Sequence, residues 1–241
     1  MTVTTRLATL GAAALLTLPA AGHAATAQFR ATLEALNGSG VAGTVDFFVD
    51  EAAQTLRVRA DVTGLEPGAV HVNHIHGRFE DDDGDFVPNE PRVPVNSVTP
   101  VPSDDTDGDG FVEVLEGLPG YGDILLSLND PDMPGMNPVA DASGNLRYDY
   151  FYDLSSGSPL LEASAIGLTY DFDDLTPLDL REYVVHGLTV PAGVSPDLPD
   201  GGYLTSLPVA AAQIAPIPVP AAGMLLLGAL GGLGLMRRRR A

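Results

Sequence analysis

The 241-residue chain contains no cysteine, which excludes both a disulfide framework and a thiolate metal site. Lysine is absent too: all 12 basic residues are arginine. The glycine-rich turns therefore lack the lysine, and the following helix, that a phosphate-binding loop requires. No serine, Ser97 and Ser164 included, stands in a motif that sets it beside a histidine and an acid. There is no internal repeat and no trustworthy run of helical period. Acid is what the chain has in excess. Its 32 Asp and Glu all lie between Glu34 and Asp200, whereas Arg6 and Arg237 to Arg240 lie near the ends. A domain over residues 25–215 carries seven arginines against 32 acids, a charge of about −25. Such a field argues against nucleic acid and anionic lipid as partners and favours solubility, cation binding or a salty habitat.

The ends read as targeting segments. Arg6 precedes an apolar run from Leu7 to Leu18, and the small residues Ala21-Gly22-His23-Ala24-Ala25 follow. This is the grammar of a secretory signal over residues 1–24, cleaved after Ala24. An uncleaved anchor helix is the alternative, but the apolar run is shorter than the ~20 residues that span a bilayer. Residues 216–241 begin with a proline-rich stretch, continue through apolar Met224 to Met236 and end in four arginines that should stay cytoplasmic. Flanking signal and anchor helices are thus expected around one domain.

That tail, with Ile217-Pro218-Val219-Pro220-Ala221, resembles the PEP-CTERM class of exosortase-type sorting signals in its Val-Pro-Leu-Pro-Ala variant. Val219 departs from the variant's leucine. The resemblance implies a membrane sorting protease as partner, membrane contact through the tail before processing, and export to the periplasm, cell surface or extracellular matrix. A permanent single-span anchor is the alternative.

Between the ends, short alternating apolar runs are separated by Gly, Pro, Asn and Asp. Strands are expected over residues 28–36, 43–49, 55–62, 70–76, 124–128, 146–154, 163–170, 183–188 and 203–214. Asn37-Gly38-Ser39-Gly40 and Asp50-Glu51-Ala52-Ala53 are expected as turns. The section from Arg78 to Gly120 has no strand pattern of consequence, and a loop that long inside a domain is usually functional. The fold class is all-β: an antiparallel Greek-key sandwich or barrel of about eight strands.

Four histidines remain outside the leader, in His71-Val72-Asn73-His74-Ile75-His76-Gly77 and Tyr183-Val184-Val185-His186-Gly187. On a strand His74 and His76 present both imidazoles to one face, with Ile75 on the other. His71 falls on the opposite side and suits a supporting hydrogen bond better than ligation. A distant third histidine strengthens the case for a metal, since imidazole-rich sites suit copper and zinc.

From Phe29 to Ile214 the sequence is similar to the copper/zinc superoxide dismutases. The likeness is carried by Leu36-Asn37-Gly38-Ser39-Gly40-Val41-Ala42-Gly43-Thr44-Val45-Asp46-Phe47, by Gly64-Leu65-Glu66-Pro67-Gly68 and by the first histidine motif. It continues through Gly122-Asp123, Arg181-Glu182-Tyr183-Val184-Val185-His186 and Asp200-Gly201-Gly202. Bacterial CHRD domains, which share that fold and its paired histidines, are similar as well. The resemblance implies copper on His74, His76 and His186, His71 in support, and superoxide as substrate. The family's bridging and zinc-site histidines have no counterpart, so zinc is not expected; only Asp123 matches the zinc aspartate. The arginine that draws superoxide to copper is missing near Tyr203.

Where the family has its zinc loop, Asp105, Asp107, Asp109, Gly110, Phe111 and Glu116 fit a 12-residue calcium template, with Phe111 giving its carbonyl and Glu116 a bidentate carboxylate. Pro100, Pro102 and Pro119 rule out a pair of long flanking helices. A weaker acidic cluster holds Asp81, Asp83 and Asp85, with Asp123 as a further candidate. The expectation is an exported, surface-sorted, superoxide dismutase-like copper protein with a calcium loop. The rivals are a calcium-stabilised matrix or adhesion module and a copper-sequestering scaffold without turnover.

Overall fold

The computed structural model describes residues 27–80, 92–155, 170–196 and 198–218. Their chain order is β1 (Ala27–Thr32), β2 (Glu34–Ala35), β3 (Ala42–Asp50), β4 (Thr55–Thr63), β5 (Asn73–Phe79), β6 (Pro94–Val95), α1 (Val114–Tyr121), β7 (Asp123–Ser127), β8 (Leu146–Asp153), α2 (Phe172–Leu175), β9 (Glu182–Val190), β10 (Gly202–Gln213) and β11 (Ala215–Pro216). Among the described residues eight strands reach five residues or more, as the all-β reading expects.

They form an all-β sandwich of two antiparallel sheets. One runs β11-β1-β3-β4-β8; the other runs β2-β10-β9-β5, with β6 and β7 both pairing β5. After β7 the chain returns to the first sheet as β8 beside β4, then crosses again so that β9 lies between β5 and β10. This interleaving is a Greek-key path. Period-two alternation decides what faces inward. On β4, Leu56, Val58, Ala60 and Val62 are buried while Arg57, Arg59 and Asp61 are exposed. Val45, Phe47 and Val49 of β3 join them against Ile75, Leu126, Tyr183, Val185 and Ala210 of the second sheet. Each buried Val, Leu, Ile or Phe among them contributes about 1.5–3 kcal/mol by leaving water.

The strand expected over 28–36 is broken at Leu33. β1 stays in the first sheet while β2 pairs with β10 in the second. The change of sheet puts Leu33 into the main core and Leu36 into a smaller cluster with Tyr121, Val184 and Ala211. The strand expected to start at Val70 starts at Asn73; Val70 makes only an isolated bridge to Val139. The section from Arg78 to Gly120 is less featureless than expected, since β6 and most of α1 lie in it. At the end of the domain the first sheet runs on through Pro216, and the Ile217 amide donates to the Gln28 carbonyl at 2.9 Å. The expected leader, the tail beyond residue 218, the strand over 163–169 and the cluster Asp81, Asp83 and Asp85 lie outside the described residues. Tyr170 is described and lies in no strand. Among the described residues no helix is long and apolar enough to cross a membrane.

Candidate metal centre

β5 and β9 are neighbours in register, with His74 opposite Val184 and His76 opposite Glu182. Alternation sends Asn73 and Ile75 toward the core and His74 and His76 to the outer face, where His186 of β9 joins them. The ring centroids lie 5.1 Å apart for His74 and His186, 5.5 Å for His74 and His76, and 5.9 Å for His76 and His186. One nitrogen from each ring lies within 4.8 Å of the other two, close enough for one metal ion. His74 is 8% exposed, His76 1% and His186 3%, so the site opens to water chiefly at His74.

The hydrogen bonds decide which nitrogens converge. His76 Nδ1 lies 2.9 Å from the Gly122 carbonyl and His186 Nδ1 2.6 Å from the Ser206 carbonyl. A carbonyl only accepts, so each Nδ1 carries the proton and each Nε2 keeps its lone pair free. The unpartnered buried atoms on these rings are His74 Nδ1, His76 Nε2 and His186 Nε2. Buried imidazole nitrogens without a partner call for one, and a metal ion shared by all three would satisfy them together. Burial, then the neighbouring rings, holds His74 well below the ordinary histidine value. Burial and His186 lower His76 to about 3, and burial lowers His186 to about 4. All three are neutral near pH 7, the state a metal ligand needs.

His71 is fully buried, yet it does not touch the ligand rings. Its Nδ1 lies 3.0 Å from the backbone carbonyl of His186 and its Nε2 3.3 Å from that of Glu66. It ties down the strand that carries His186, not the imidazole itself. The next residue, Gly187, sits at φ +112, and a Cβ there would come within 2.1 Å of the Tyr203 hydroxyl and 3.1 Å of His71 Nδ1.

Sequence reasoning missed four contributors. Tyr121, the last residue of α1, packs edge-on against His76 at 4.5 Å between centroids and donates to the Val114 carbonyl at 2.7 Å. The carbonyls of Gly122 and Ser206 are backbone groups, which leave no trace in residue identity. Gly122 itself is readable in retrospect: at φ +82, a Cβ on it would meet the Gly77 carbonyl at 2.1 Å. Fully buried Glu182 shares the outer face, takes a hydrogen bond from Thr99 and is pushed by burial up to about 7.

The acidic loop divides its carboxylates into two groups. Asp105, Asp107 and Glu116 converge, as do Asp107, Asp109 and Glu113, which makes Glu113 a member the calcium template did not name. A 3-10 turn at Pro102–Asp104 precedes the loop and the eight-residue α1 begins within its last three residues, so no pair of long helices flanks it. The Phe111 side chain packs toward Val190, Val194 and Leu207. Partial burial, then Glu116 and Asp109, pushes Glu113 up to about 8. Asp123 stands apart from both groups and accepts from the Tyr170 hydroxyl at 2.8 Å.

A scan against models of known protein families found no match for this chain, and a search of curated proteins found none either.

Proposed function

We propose that this chain is an exported, surface-sorted copper protein of superoxide dismutase-like character, holding copper through His74, His76 and His186 and acting on superoxide. The observation that carries the reading is the convergence of three unpartnered, buried imidazole nitrogens, two of them aimed by backbone carbonyls. A neutral three-nitrogen set without thiolate suits copper, and copper(II) stands at the top of the divalent affinity order. Copper, when bound, supplies one-electron redox chemistry. The chain's part is to fix the donor atoms before the ion arrives, to keep them unprotonated, and to shelter one side with Tyr121. Arg78 follows His76 by two positions on the same face of β5. Arg181 is spent elsewhere: fully buried, it donates to the carbonyls of Asp174 at 2.6 Å and Leu175 at 3.2 Å.

The acidic loop is read as a calcium site, supported by its template spacing and its two converging carboxylate groups. A second functional reading, copper held without turnover, draws support from the small exposure of the three rings and from a domain charge that repels an anionic substrate. Superoxide consumption by the purified, copper-loaded protein, beside a His74→Ala/His76→Ala double variant, separates the readings. A rate above that of free copper, lost in the variant, supports dismutation. Histidine-dependent copper without such a rate means sequestration, and no histidine-dependent copper leaves a calcium-stabilised scaffold.

A further inference from the structure

The outer face of the first sheet is unlike the rest of the molecule. Of the seven arginines between residues 25 and 215, four stand on it: Arg30, Arg57, Arg59 and Arg147. The register sets them in rows across β1, β3, β4 and β8. One row reads Arg30, Asp46, Arg59, Asp149; the next ends Asp61, Arg147; the third reads Phe48, Arg57, Phe151. Arg30 pairs with Asp46 at 2.6 Å, Arg57 with Asp149 at 2.6 Å and Arg147 with Asp61 at 3.0 Å. With Asp50 and Asp153 at one rim, the face is close to neutral on a domain of about −25. Phe151 is 58% exposed at its edge.

An alternating lattice of this kind selects its partner. A polyanion meets an aspartate in every mixed row, and a polycation meets an arginine. A second lattice of the same pattern, turned about a two-fold axis, can set each sign against the other, which is the self-complementarity of an isologous contact. Two copies of so acidic a domain repel each other through most of their surface, and this face is where they approach without that penalty. The strands β3 and β4 are nine residues long. At ~3.3 Å per residue and ~4.8 Å between strands, four strands cover on the order of 600 Å² in projection. Protruding side chains bring that toward the ~800 Å² per partner of a standard interface.

We propose that this face is the contact between two copies of the chain, with Phe151 and the row Phe48, Arg57, Phe151 at its apolar part. The test is sedimentation velocity on the purified protein at about 5 and 100 μM. The wild type should reach twice the monomer mass at the higher concentration. Phe151→Glu should be monomeric with an unchanged melting temperature. Should that charge disturb β8, Phe151→Gln should still weaken association at least tenfold. Leu115→Glu, on exposed α1, should remain dimeric. A monomeric wild type at 100 μM would overturn the proposal, as would a dimer indifferent to Phe151, or a monomer that binds a polysaccharide through Phe151.

Discussion

At the scale of single residues, the site depends on where protons sit. The folded chain keeps His186 and His76 neutral down to about 4 and 3, whereas an unfolded histidine takes its proton near ~6.5. Between those limits the unfolded state binds more protons, so the metal-free fold loses stability as pH falls from about 6.5 toward 4 and holds it fully above that window. Each histidine adds a slope of up to ~1.4 kcal/mol per pH unit. Glu182 and Glu113 act with the opposite sign: raised to about 7 and about 8, they favour the fold at low pH and lose that contribution as pH rises from ~4.5 through those values. The three histidines outnumber them. Thermal melts of metal-free protein should therefore drop between pH 6 and 4, and His186→Gln should flatten the drop; an equally steep decline in that variant would contradict the assignment. His71→Ala, which loosens the strand carrying His186 and not a ligand ring, should weaken copper affinity by less than the ~10–100-fold that losing a direct partner of a ligand imidazole costs, while leaving the stoichiometry at one.

At the scale of elements, α1 joins the two candidate sites. Its N-terminal end takes shape where Glu116 Oε2 accepts the Glu113 amide at 3.1 Å, and its C-terminal end delivers Tyr121 and the Gly122 carbonyl to His76. Tyr121→Ala should open the covered side of His76 and lower copper affinity, while Tyr121→Phe, which keeps the ring and loses only the bond to Val114, should largely preserve it; equal effects would show that the ring's cover is unimportant. Near neutral pH the raised Glu113 holds a proton, so calcium entering at the ~10⁻⁴–10⁻³ M affinity of extracellular modules should release one. Calorimetry in buffers of different ionisation enthalpy reads that proton directly, and Glu116→Gln should abolish the heat. The element itself was hidden from the sequence. An eight-residue helix containing Gly117, Pro119 and Gly120 has neither the length nor the propensity to announce itself, and it forms because Glu116 caps it and Tyr121 is buried.

For the whole molecule, the first sheet was legible because its long strands keep period two, as in Leu56 to Val62, and turn residues punctuate them, whereas β5, β9 and β10 of the second sheet carry unbroken buried runs. His74 and His76 were legible from their spacing, being two apart on one strand. What joins them to His186 was not, because contacts with the carbonyls of Gly122 and Ser206 span 46 and 20 positions and belong to backbone geometry. The switch of sheet at Leu33 was equally invisible, since the apolar alternation of Phe29, Ala31, Leu33 and Ala35 runs straight through it in the sequence. The overall charge bears on chemistry at a distance: a field of about −25 slows an anion's approach and concentrates cations. Any superoxide rate should therefore rise with ionic strength as screening grows, the reverse of a positively steered site.

The central claim is that three histidines from two strands hold one metal ion. Copper content after gel filtration, measured on the wild type and on the His74→Ala/His76→Ala variant with matched folding by circular dichroism, tests it most directly. The account predicts about one copper per wild-type chain and none retained by the variant. Equal copper in both, or none in either, would contradict it.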